Sequence, residues 1–173
     1  IWNYAIRKLH REAPAPQEPC DERLIIIKTV KDTYKAKYAY DIDSRSITEI
    51  MSSTEWDHLR HILRQYKESA KRSEIIPVIL FIPSKLHIYA PFITDESGPR
   101  WLRMKSEALE NLDNLQIAFL KLVQELDFPV VLDLTPLFRE RASQGELLFY
   151  PFDTHWNALG REIAAEFVAS SLN

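Results

Sequence analysis

The sequence predicts an α/β fold, three layers deep (α/β/α), built on a parallel sheet with a small β-hairpin excursion. Two short apolar runs, 76–82 (IPVILFI) and 129–134 (PVVLDL), lack polar alternation and are bounded by prolines, as strands buried on both faces are. Stretches of helical period lie before, between and after them. Helix, buried strand, helix, buried strand, helix is the pattern that right-handed crossovers give in one parallel sheet.

The elements follow in order. Trp2, Ile6 and Leu9 are spaced at helical intervals within 1–12, predicting a short amphipathic helix. Pro14, Pro16 and Pro19 make 13–19 an extended linker. An apolar run at 24–30 and an alternating one at 34–40 flank the polar Lys31-Asp32-Thr33, which predicts a hairpin over 24–40. Thr54, with Asp57 three residues on, is the expected N-cap of a helix that turns Trp56, Leu59, Leu63, Tyr66 and Ala70 inward. After the first buried strand, 83–99 reads as a long loop, a length typical of lids and binding loops. One long helix is expected over 101–126, with Leu109, Leu112, Leu115, Phe119, Leu122 and Leu126 on its apolar side. The second strand follows, then a short helix around 137–142, and finally a helix capped by Asn157 that runs to about Leu172. The expected organisation is one domain over 1–173, itself part of a larger one. It has an irregular N-terminal part (1–53) and an α/β core (54–173).

Composition narrows the chemistry. The chain has 173 residues, 46% hydrophobic and 27% charged, enough for a sizeable core and unlike a disordered chain. A net charge of −3 gives no reason to expect nucleic acid as a partner. No apolar run reaches the roughly 20 residues of a membrane span. Three glycines, Gly98, Gly145 and Gly160, stand far apart, so neither a P-loop nor a dinucleotide-binding glycine loop is present. Cys20 is the single cysteine, which excludes an internal disulfide and a cysteine metal cage. The chain opens on Ile1 rather than Met, which reads as a piece of a longer protein and leaves the compartment undetermined.

In a parallel sheet the working site lies beyond the carboxyl ends of the strands. There the sequence places Ser84 and Lys85, Asp133, and the stretch 149–161 (FYPFDTHWNALGR). Within it, Asp153 and His155 stand two apart just before a helix. In extended backbone such side chains point the same way, so the carboxylate and imidazole can lie side by side. A carboxylate bonded to one ring nitrogen fixes the tautomer and leaves the other nitrogen to take a proton from a nucleophile. A capping arrangement at a helix start uses the same residue types.

The wording of three segments carries a resemblance. FDTHWNALGREIAAEFVASSL (152–172), PVILFIPSKLHIY (77–89) and VVLDLTPLF (130–138) resemble the SGNH (GDSL-like) hydrolase superfamily, in the D-x-H-W branch that includes polysaccharide O-acetyltransferases. The resemblance covers about residues 54–173. It implies an SGNH, flavodoxin-like sheet, with His155 as general base and Asp153 as its orienting acid. Trp156, Asn157 and Gly160 become structural companions of the loop. Apart from the resemblance, Lys85 at the strand end reads as a loop-positioning or substrate-contact residue or a solvated lysine, with Ser84 beside it on the substrate side, and Tyr89 of the long loop, with Pro91 and Phe92, reads as an apolar wall for a substrate. Asp133, in a buried run, reads as a turn acceptor at the sheet end or a support for the His155 loop. A small acyl ester or an acetylated polysaccharide is the implied substrate. No metal and no organic cofactor is expected, and an extracytoplasmic setting is slightly favoured. The family's nucleophile is the serine of Gly-Asp-Ser, and no Gly-Asp-Ser occurs here; Asp43-Ser44 follows Ile42 instead. The serine is therefore expected outside this chain, upstream or downstream, and the isolated chain is expected to be inactive.

Other candidates read more simply. Adjacent Ser84 and Lys85 point to opposite sides of an extended chain and do not readily share a proton. His58 and His61 have helical metal spacing but no further ligand motif, and His10 reads as a surface residue. His87 lies between Leu86 and Ile88, where it either lines the His155 cleft or packs. Arg100, Arg103 and Lys105 form a solvated face or meet an anionic polysaccharide. Two rival functions remain: a non-catalytic carbohydrate- or protein-binding domain, and a metal-dependent hydrolase with Asp153 and His155 as ligands.

Overall fold

The computed structural model describes residues 23–38 and 43–172. The helix expected over 1–12, the proline-rich linker, Cys20 and the end of the expected hairpin lie outside them. Strands β1 (Leu24–Lys28) and β2 (Thr33–Lys37) form the hairpin, with Leu24 opposite Lys37 and Lys28 opposite Thr33. Its apolar face carries Ile25, Ile27 and Ala36, all fully buried. Its outer edge is held by the Ser97 hydroxyl, which accepts from the Ile26 N–H at 2.8 Å, and by the Thr94 N–H on the Ile26 carbonyl at 2.9 Å.

A short helix, α1 (Ile47–Met51), follows under a capping box of Ser46 and Glu49. Helix α2 spans Thr54–Arg72 and is capped by Ser53, one residue before the expected Thr54; the Ser53 hydroxyl accepts from the Trp56 N–H. Trp56, Leu63 and Ala70 turn inward as expected, while Tyr66 is 43% exposed.

Strands β3 (Val78–Phe81) and β4 (Val130–Asp133) pair in parallel, Val78 opposite Val130 and Phe81 opposite Asp133. The pleat sends alternate side chains to different cores. Ile79 joins Trp56, Leu63, Leu122 and Phe128, whereas Leu80 packs against the cluster holding Tyr89, Phe138 and Phe149. Strand β3 therefore has apolar packing on both faces, whereas burial of the two runs is less complete than their unbroken apolar text predicts: Val131 on β4 is 36% exposed, and Ile76 and Ile82 beside β3 are more open still.

Two expected elements are corrected. The segment 83–99 is not a loop poised over a cleft. It contains helix α3 (Lys85–Tyr89) and a 3-10 turn (Ala90–Phe92), because Ser84 caps the helix and Leu86, Ile88, Tyr89 and Ala90 are core residues. The single helix expected over 101–126 is two, α4 (Pro99–Glu110) and α5 (Asn114–Glu125). The break falls where Asn111 turns both its backbone N–H and its side-chain amide back on the Glu107 carbonyl. Asp113, just beyond, is drawn away by His87 and Arg139. Helices α6 (Thr135–Ser143) and α7 (Ala158–Ser171) complete the described chain. Among the described residues no helix is long and apolar enough to cross a membrane.

Candidate active site

The site is a short loop on a closed neck. After α6 the chain turns at Gly145, whose φ of 89° is a left-handed conformation that suits glycine. Leu148 and Phe149 then enter the core. Phe149 bridges Trp156 in antiparallel fashion, the Asn157 N–H donates to the Leu148 carbonyl at 3.0 Å, and the Tyr150 N–H donates to the His155 carbonyl at 3.1 Å. Residues 150–155 thus project from a pinned base. Asn157 serves both sides: its side-chain oxygen caps α7 by accepting from the Gly160 N–H at 2.9 Å, and its amide donates to the Leu147 carbonyl. Gly160 is required by close approach, since a Cβ there would lie 2.3 Å from the Leu148 carbonyl oxygen. Trp156 stacks edge-on against Phe138, with ring centroids 5.5 Å apart.

On this loop Asp153 and His155 face each other. One carboxylate oxygen of Asp153 accepts from the His155 backbone N–H at 2.9 Å and from its ring Nδ1. These two bonds, the backbone one foremost, hold the Asp153 carboxyl below the usual carboxylate range. An ionised Asp153 keeps the proton on Nδ1, so Nε2 is the nitrogen that can accept one. The His155 side chain is 80% exposed.

Two clefts adjoin the loop and share Ile82, Thr154 and Trp156. One, of about 350 Å³, is also lined by His155 and Arg161. The other, of about 250 Å³, runs past Tyr38, Ser84, Lys85 and Phe149. Lys85 is 4% exposed, and its ammonium donates to the carbonyls of Lys37 and Pro151, each at 2.8 Å. Burial lowers its pKa to about 8, with the nearby Asp153 charge pulling the other way. Ser84 lines the same cleft, where its hydroxyl accepts from the His87 N–H as the cap of α3.

Tyr89 is a correction. It is fully buried, and its hydroxyl accepts from the Leu148 N–H at 2.8 Å and donates to the Glu146 carbonyl at 2.7 Å. It underpins the loop from inside and offers no surface to a substrate. Phe92 is half-buried against the same core, so the apolar wall expected of 89–92 does not form.

Asp133 ends β4 as a turn acceptor, taking the Thr135 N–H at 2.9 Å and the Gln116 side-chain amide. His87 does not reach the clefts: its Nε2 meets Asp113 at 2.9 Å, and the Arg139 guanidinium donates to both oxygens of that carboxylate. His58 and His61 face solvent on α2. Ser44 is exposed beside Asp43, whose carboxylate is taken by Arg45. Lys105 pairs with Asp95. Among the described residues no three of His, Cys, Asp and Glu converge as a metal site. No serine, threonine or cysteine among them hydrogen-bonds to the His155 ring.

Ile82, Thr154 and Arg161 were not legible as cleft residues. Ile82 carries one signal, an apolar residue before Pro83 at a strand end, while Arg161 is indistinguishable in text from any first-turn arginine. The Pro151 carbonyl carries no side-chain signal at all.

Comparison with curated proteins and with solved structures gave no match. Comparison with family models gave one over residues 48–173, described as SGNH hydrolase-like domain, acetyltransferase AlgX.

Proposed function

Because the chain belongs to the SGNH hydrolase-like, AlgX-type acetyltransferase domain family, we propose that it supplies the acid–base half of an ester hydrolase or O-acyltransferase site. The observation that carries this reading is the exposed imidazole of His155, fixed through Nδ1 by Asp153 and lining the cleft it shares with Arg161. In this reading a serine from outside residues 1–173 gives its hydroxyl proton to Nε2 as its oxygen attacks the acyl carbonyl. His155 returns that proton to the departing oxygen, leaving an acyl-enzyme. Water or a sugar hydroxyl then takes the acyl group by the reverse sequence. Asp153 keeps its charge throughout and stabilises the imidazolium. Small acyl esters, with acetylated polysaccharide as the natural class, fit the family description.

p-Nitrophenyl acetate hydrolysis is the test, measured on residues 1–173 and on a longer chain that includes the proposed serine. The short chain is expected to be inactive, since a base without nucleophile and oxyanion donors retains little rate, and the longer one active. Full activity in the short chain would place the nucleophile within it. Inactivity of both would favour a non-catalytic binding domain, which the missing Gly-Asp-Ser text also suits.

A further inference from the structure

We propose that Lys85 is a positioning residue for the Asp153–His155 loop, its ammonium bridging the Lys37 carbonyl at the end of β2 and the Pro151 carbonyl at the start of that loop. The inference rests on the catalytic reading above, but it concerns where the loop is held.

A lysine at 4% exposure is costly to bury, and such groups are normally paired with a carboxylate. Among the described residues none stands within ion-pair distance of Lys85. Its hydrogen bonds go instead to two main-chain carbonyls, each at 2.8 Å. One of them, the Pro151 carbonyl, also accepts from the Lys37 N–H at 2.8 Å. Hairpin, α3 and site loop therefore meet at one ammonium, with Pro151 two residues before Asp153. A surface lysine would extend its head to water; this one is spent on fixing backbone. The arrangement survives loss of the proton, because a neutral amine keeps two N–H groups for two carbonyls. The low pKa of about 8 is consistent with a head group held in by geometry.

The neck between Phe149 and Trp156 fixes the base of the loop, but its tip has few ties. Beyond its carboxylate bonds to His155, Asp153 is tied to the loop by its N–H on the Tyr150 carbonyl at 3.3 Å, a long bond. Position at the tip therefore depends on the Pro151 anchor.

Amide hydrogen exchange and His155 ring NMR signals on residues 1–173 test this, with Lys85→Met against Ser97→Ala. Ser97→Ala weakens hairpin docking elsewhere, at the Ile26 N–H, without touching the loop. Lys85→Met is expected to raise exchange of the Tyr150 and Asp153 amides at least about tenfold and to shift the His155 ring signals; Ser97→Ala should do neither. Wild-type loop and ring signals in Lys85→Met would overturn the proposal, as would the same changes in Ser97→Ala. Should Lys85→Met fail to fold, Lys85→Gln carries the comparison by the same criteria. Turnover does not enter, so this proposal and the catalytic one fail separately.

Discussion

Among the described residues stand two histidine–aspartate pairs, and they are built for opposite ends. His87 and Asp113 meet across the fold, from α3 to the α4–α5 break, with the imidazole buried and Arg139 donating to both oxygens of the carboxylate. Asp153 and His155 meet across two residues of one loop, with the ring in solvent and clefts on either side of Thr154. The first pair has its hydrogen-bonding spent on closing three elements together. The second has one ring nitrogen uncommitted. Pairing alone therefore does not make a proton relay; access to the second nitrogen does.

The largest effect that sharpens this contrast is His155→Ala in a chain extended to include the proposed serine. Acyl transfer is expected to fall by about 10²–10⁴-fold while the urea midpoint stays put. A matching loss of stability would erase the distinction. His87→Ala should do the reverse, costing about 2–3 kcal/mol in urea unfolding through loss of the Asp113 bond and the edge-on contact with Phe81, with turnover per folded molecule unchanged. Gly160→Ala probes the neck that separates the exposed pair from the core. Its methyl would meet the Leu148 carbonyl, and a destabilisation of about 1–3 kcal/mol is expected by the same measurement.

The smallest effect is on pH. Burial, the dominant influence, holds His87 below the usual imidazole value, with Asp113 opposing. Its folded value lies below its unfolded one, so the stability it carries is complete above about pH 6.5 and lost as pH falls through the folded value. His87→Gln should remove that decline, flattening the unfolding free energy between about pH 7 and 5 by less than about 1.4 kcal/mol per unit. An identical slope in both proteins would mean that the buried ring titrates as if exposed.

Much of this was legible in the text and some was not, for physical reasons. The two parallel strands and the Asn157 cap follow from local rules, apolar runs without alternation and a side-chain acceptor before a helical period. The Asp153–His155 contact is local too, two residues apart on one loop. What failed depended on distant partners. The helix break at 111–113 is set partly by Arg139 and His87. The helix within 83–99 is stabilised by burial of Leu86, Ile88 and Tyr89 against the hairpin and the 147–149 segment. Tyr89 reads as a cleft aromatic because its backbone partners, Glu146 and Leu148, are far away in sequence.

A double-mutant cycle in a chain extended to include the proposed serine tests the central claim most directly: acyl-transfer rates of Asp153→Asn, His155→Ala and the double variant, against wild type. If the two residues form one relay, the double variant loses no more than His155→Ala alone. Losses that multiply, or single variants that keep the wild-type rate, would contradict it.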